Sequence, residues 1–247
     1  MKKIPLIILC ALLCACAARS PRTQIEDPAA LWTAMGDAPS LSGPERTQLS
    51  LRFGEEGDTR RVTAILWSND PAELRMDIMA GAGALVALIY DGPGNFLMYV
   101  PQDKRAYVYK GSAKPLLRIG TPLPFSLDRL SSLLSGRYAA VFGPDYDSAE
   151  ITDSGAVFEL PDKASLTLDA EGLPVAWAQG NGGWKMTLDY GENRLPKTIR
   201  FDNSQGKMAI LLVKGRETLA EPFSEEQMSL KLPEGTETLP LSQYGRG

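Results

Sequence analysis

The sequence predicts a mainly β (α+β) protein, an antiparallel sheet of about 11–12 strands that curls strongly, with helices covering its concave side. From about residue 46 onward, apolar and polar residues alternate with period two. The alternating runs are separated by short stretches of turn chemistry such as EEGD, SNDP, DGPG and PQDK, short enough for hairpins, so neighbouring strands run antiparallel. Helical periodicity surfaces in only two places, near residues 28 and 127.

Asp27 followed by Pro28 reads as an N-cap with proline at the first helical position, and the helix that follows presents Leu31, Trp32 and Met35 before stopping at Gly36. RTQLSLRF, RRVTAILW, ELRMDI, ALVALIY, NFLMYV and RAYVYK are then strand-like runs. ELRMDI alternates cleanly, placing Leu74, Met76 and Ile78 on one face. ALVALIY and NFLMYV are apolar on both faces, so both must be covered. TPLPFSLDRLSSLLSG interrupts the strands with a second helix. Ser126 is its expected N-cap, Asp128 lies in its first turn, Leu127, Leu130, Leu133 and Leu134 share a face, and Gly136 ends it. The strand pattern resumes in AVFEL, ASLTLD, PVAWAQ, WKMTLDY, KTIRFD, KMAILLVK and MSLKL. WKMTLDY puts Trp184 and Met186 on its apolar face.

The N-terminus reads as a lipoprotein signal. Lys2 and Lys3 precede an apolar run of 12 residues, Ile4 to Ala15, too short to span a bilayer. Leu13, Cys14 and Ala15 before Cys16 resemble a bacterial lipobox, with Cys16 as the acylated residue. The expected organisation is therefore a signal over 1–15, an acylated cysteine and tether over 16–26, and one domain over 27–247. All three cysteines lie at or before Cys16, so the body can form no disulfide and no thiolate metal site. By the sorting logic of lipoproteins, Ala17 and the absence of a following aspartate imply the outer membrane, with the body facing the periplasm.

Composition excludes several functions. There is no histidine, which removes Ser-His-Asp and Cys-His catalysis and His-ligated zinc. Two of the 26 basic side chains lie in the signal, leaving 24 against 30 acidic ones and a net charge of −6, with no footprint for nucleic acid. Ser204 and Lys207 have an S-x-x-K spacing but sit in turn-forming DNSQGK. The carboxylates Asp145, Asp147, Glu150 and Asp153 lack a calcium-loop pattern and read as a solvated loop. No catalytic constellation, metal site or cofactor is expected, and the protein is read as a non-enzyme.

Residues 60 to 213 resemble the outer-membrane lipoprotein receptor family LolB and the wider superfamily of the periplasmic carrier LolA. The resemblance rests on ELRMDIMAGAGALVALIYDGPGNFLMY, GTPLPFSLDRLSSLLSG and GGWKMTLDYGENRLPKTIRFDNSQGKMAILLVK, in that order and beside a lipobox. It implies an open antiparallel half-barrel with a helical lid over a hydrophobic cavity for acyl chains. It also implies acylated lipoprotein cargo, a LolA-like carrier as partner, and a role in inserting lipoproteins into the outer membrane. On that basis Trp67, Leu74, Met76, Ile78, Leu97, Tyr99, Trp184 and Met186 are expected to line the cavity, with Leu127, Leu130 and Leu134 on the lid. Met79, Gly81, Gly83 and Leu85 form the loop that matches the receptor's protruding one, here with only small residues at its tip. The chain also continues past the receptor's usual end with FSEEQMSLKLPEGTETLPL, which marks a divergent member. An apolar strand face is in general more often packed core than cavity, so a structural envelope lipoprotein without a ligand cavity is the alternative.

Overall fold

The computed structural model describes residues 27–70, 72–110, 116 and 123–245. The signal, Cys16 and the tether lie outside the described residues. Fourteen strands form one open sheet. The first six are β1 (Glu45–Glu55), β2 (Asp58–Asp70), β3 (Glu73–Met79), β4 (Leu85–Gly92), β5 (Asn95–Val100) and β6 (Arg105–Tyr109). The rest are β7 (Ser148–Thr152), β8 (Gly155–Glu159), β9 (Ser165–Asp169), β10 (Pro174–Ala178), β11 (Trp184–Tyr190), β12 (Pro196–Asn203), β13 (Lys207–Thr218) and β14 (Glu237–Pro240). The spatial order is β14-β6-β5-β4-β3-β2-β1-β13-β12-β11-β10-β9-β8-β7. Two meanders are thus joined where β1 meets β13, and every pairing is antiparallel except β14 on β6. Among the described residues the α-helices are α1 (Pro28–Gly36), α2 (Leu127–Leu134), α3 (Tyr138–Phe142) and the single turn α4 (Glu225–Met228).

The register fixes two faces. Leu49 and Leu51 of β1 stand opposite Ala64 and Val62 of β2, and across the other edge opposite Val213 and Leu211 of β13. Following these partners outward puts Leu66, Met76, Ile89 and Met98 on one face of the first meander, and Phe201 and Met186 on the same face of the second. All belong to one buried core with α1 and α2. Trp32 of α1 packs on Phe158 at 5.0 Å, and Phe125, just before α2, packs on Trp177 at 5.2 Å and Phe201 at 5.5 Å. Both helices therefore cover the inner face.

The opposite face of the first meander has its own cover, which the sequence did not reveal. After β13 the chain crosses from β2 toward β6. Asn69 accepts a hydrogen bond from the Phe223 amide at 2.7 Å and donates one to its carbonyl at 3.0 Å. Phe223 meets the Trp67 ring at 5.0 Å, and Arg75 donates to the Gln227 carbonyl. A capping box between Ser224 and Gln227 starts α4, which buries Met228. β14 then pairs in parallel with the outer edge of β6, and beyond it Tyr244 packs edge-on at 5.1 Å against Tyr107, which its partner Met98 puts on the inner face. This C-terminal strap thus lies on the outer face over Trp67 and Arg75, with Glu225 near Tyr90 of β4.

Several expectations are corrected. The sheet has 14 strands in place of about 11–12, because SAEIT (β7) and ETLP (β14) are also strands. MSLKL is not a strand: its methionine ends α4. β7 shows no apolar alternation because it is an edge strand exposed along nearly its whole length, with Glu150 at its centre.

The covered concave face as candidate functional site

Register and burial sort the expected cavity residues into two groups. Leu74, Met76 and Ile78 of β3 and Met186 of β11 lie on the inner face, 1 to 8% exposed. Trp184 shares that face at its rim, half-buried and opposite Asn203. Trp67, Leu97 and Tyr99 belong to the outer face, and placing them in a cavity is corrected. Trp67 pairs with Arg46 and Arg75, whose guanidinium groups stand 4.9 and 5.8 Å from its ring, and with Phe223 of the strap. Leu97 and Tyr99 oppose Tyr90 and Leu88, the outward residues of β4.

α2 is amphipathic, and its apolar stripe lies on the sheet: Leu127, Leu130, Leu133 and Leu134 are all at most 1% exposed, whereas Asp128 faces water. Its two ends are held differently. At the C-terminal end Gly136 adopts φ +78°, and a Cβ there would lie 2.4 Å from the Pro39 carbonyl oxygen, so the helix stop requires glycine. The Ser135 hydroxyl donates to Oε1 of Glu45 on β1, and the Ser135 carbonyl accepts from the Leu41 amide at 2.8 Å. Arg137 stands 3.6 Å from the same Glu45 oxygen and donates to the Leu41 carbonyl at 3.1 Å. From β13, Arg216 donates through Nη2 to the Leu134 carbonyl at 3.1 Å and to the Pro196 carbonyl. Burial lowers the Arg216 pKa, and the Glu45 carboxylate opposes that shift.

Among the described residues the N-terminal end is held to the sheet by apolar contact alone, and to α3 by Arg129, which donates to the Val141 carbonyl. Ser126 has the extended backbone of an N-cap but makes no side-chain capping bond. Phe125, buried between Trp177 and Phe201, sits one residue before the cap, where a hydrophobic staple belongs. Close by, Asp91 projects from β4 onto the inner face. Desolvation pushes its carboxyl up to about 6, and the Asp128 charge in the first turn of α2 adds to the shift. A pKa raised on folding means that the native state binds this proton more tightly than the unfolded chain does. The resulting stabilisation is complete below the ordinary carboxylate range and lost as pH rises through about 6. Asp91→Asn is expected to raise the urea midpoint at pH 7 and to flatten its dependence between about pH 4 and 6. An unchanged pH profile in that variant would contradict the assignment.

The loop after β3 is a 3-10 turn over Gly81–Gly83, closed by the Ala80 amide on the Ala84 carbonyl at 2.8 Å. Gly83 takes φ +79°, and neither Gly81 nor Gly83 has any atom within 4 Å of where a Cβ would lie, so the tip projects freely. Leu85 is 40% exposed, and its neighbour Val86, not among the expected loop residues, is 41% exposed. Met79 opposes Leu85 across the base.

Among the described residues no group of three or more His, Cys, Asp or Glu side chains could hold a metal ion, and no helix is long and apolar enough to cross a membrane. Ser204 and Lys207 lie on the β12–β13 turn, where Asn203 Oδ1 accepts from the Gln205 and Lys207 amides.

No family model matches the sequence, and no curated protein matches it. Solved structures do. A LolA superfamily protein from Nitrosomonas europaea superposes with a TM-score of 0.54 at 9% identity, over 82% of this chain and 97% of its own. The fold is that of the LolA superfamily. A DUF1329 family protein from Desulfovibrio piger shares it, with a TM-score of 0.52 at 12% identity, over 82% of this chain and the whole of the other. The divergence expected from the LolB-like motifs is evident in these identities, so the roles of side chains in this LolA-type sheet rest on its own geometry.

Proposed function

We propose that this LolA-fold protein is a lipid-anchored, periplasm-facing lipoprotein of the outer membrane that takes up acyl chains beneath α2 and serves in lipoprotein localisation or insertion. The observation that carries the reading is an apolar inner face continuous across both meanders, closed by a helix whose polar attachments to the sheet lie at its C-terminal end. The lining would be Leu74, Met76, Ile78 and Met186, joined by Leu66, Ile89 and Met98, with Leu127, Leu130 and Leu134 as the lid. Magnitudes allow the exchange. Withdrawing the four buried leucines of α2 costs roughly 6 to 12 kcal/mol, and burying an acyl chain of about 16 carbons returns about 12. One or two chains could therefore replace the lid side chains. Cys16 would carry the anchor, and a LolA-like carrier would deliver the cargo.

The loop from Met79 to Val86 supports a delivery step. Each exposed aliphatic side chain could contribute about 1.5 to 3 kcal/mol on burial, enough for reversible contact with a bilayer. Met79→Glu with Leu85→Glu is expected to abolish transfer of an acylated protein from a carrier to liposomes while cargo binding is retained. Unchanged transfer would reduce the loop to a hairpin turn.

A second reading, a scaffold lipoprotein with a packed interior, is favoured by the near-complete burial of the inner face in this structure. A hydrophobic dye separates the two: it should bind stoichiometrically and be displaced by a fatty acid if the interior opens, and should fail to bind if it does not.

A further inference from the structure

A cleft of about 550 Å³ lies between the β11–β12 turn and a bulge in β13, within the size range of small-molecule sites. The bulge arises because Val213 opposes Leu49 while Gly215 opposes Gln48, leaving Lys214 as the extra residue. Gly215 contributes no side chain, which keeps the cleft open. The walls carry Lys197, Lys214 and Arg216, with Asn193 as a neutral donor and Glu192 as the one carboxylate. Two adjoining strands supply these groups, Lys197 from β12 and Lys214 and Arg216 from β13, so the three are brought together by the sheet.

The charge is poorly compensated. Among the described residues neither Lys197 nor Lys214 makes an ion pair. Arg216 spends Nη2 on two backbone carbonyls, which are neutral, and the Glu45 carboxylate near it is already shared with Arg137. Three basic side chains lining one open cleft, the two lysines exposed and Arg216 partly buried, raise the positive potential there. Carbonyl-bound Arg216 is fixed in place, while the two lysines are free to close around a tetrahedral group as point-charge donors.

We propose that this cleft binds a phosphate-bearing anion, supplied either as a lipid headgroup or as free phosphate. The site stands independently of the acyl-chain interior. The test uses the full-length protein in neutral detergent and follows the amide resonances of Gly215 and Asn193. It is titrated separately with inorganic phosphate, with short-chain phosphatidylglycerol below its micelle concentration, and with short-chain phosphatidylcholine. Saturable shifts with inorganic phosphate identify the free ion as sufficient. Shifts with phosphatidylglycerol alone identify the headgroup. In either case Lys197→Glu with Lys214→Glu should raise the half-saturation concentration at least about tenfold, and so should about 0.5 M sodium chloride. No saturable shift with either anion, or binding untouched by the double substitution, overturns the proposal. A phosphatidylcholine response at interior methyl groups with silent cleft amides would support the acyl-chain reading alone and count against the cleft.

Discussion

Replacing Phe125 with alanine is expected to lower stability by about 3 to 5 kcal/mol and, at the same time, to speed the entry of a hydrophobic dye. The ring is 2% exposed and packs edge-on against Trp177 and Phe201, with the Arg129 guanidinium 5.4 Å from its centre. Truncation leaves a cavity on the inner face at the place where α2 begins. Because Ser126 supplies no capping bond, what else holds that end is Leu123, Leu127 and the hydrogen bond that Arg129 donates to the Val141 carbonyl of α3. The helix should therefore lift from its N-terminus more often. Urea denaturation reads the first effect and stopped-flow fluorescence the second. Loss of stability with unchanged dye entry would make Phe125 an ordinary core residue and would move the point of opening elsewhere.

Glu45→Ala is expected to cost a similar 3 to 5 kcal/mol for a different reason. The carboxylate is 3% exposed and is the counter-charge for Arg137 and the acceptor for Ser135. Removing it strands partly buried cations: Arg137 Nε and Arg216 Nε already lack a hydrogen-bond partner among the described residues. Glu45→Gln keeps an acceptor for Ser135 and should cost less than the alanine. The distinguishing readout is again the dye. If the C-terminal end of α2 is the fixed end, Glu45→Ala should weaken retention of a bound acyl chain, because the lid no longer recloses in register, whereas Phe125→Ala should chiefly change the rate of entry. A glutamine variant as stable as the parent would show that Glu45 carries no ion-pair role, and one no more stable than the alanine that its bond to Ser135 contributes nothing.

Much of this architecture could be read from local pattern. α1 and α2 and the first six strands fall where caps, glycine stops and period-two runs put them, because each of those signals acts within a few residues. Which face of β2 and β5 looks inward could not be read so easily. Ile65 and Trp67 alternate with Ala64 and Leu66, and both pairs are apolar because the strap, itself rich in Glu and Ser, covers the outer one. MSLKL alternates like a strand, yet Met228 alone is deeply buried while Leu232 is 36% exposed. The grip on α2 was invisible for another reason: Arg216 and Leu134 lie 82 residues apart, and Ser135 and Glu45 lie 90 apart, so no spacing rule joins them. Phe125 did carry a signal, an aromatic residue just before an N-cap, and the staple rule applied there would have found it.

The central claim is that the interior beneath α2 exchanges its own leucines for acyl chains. Native mass spectrometry of the protein expressed without its signal tests this most directly. The account predicts discrete adducts with the masses of fatty acids or phospholipids, lost when Met76→Glu places a charge on the inner face in a variant that remains folded. A single unliganded mass, unchanged after incubation with excess fatty acid, would contradict it.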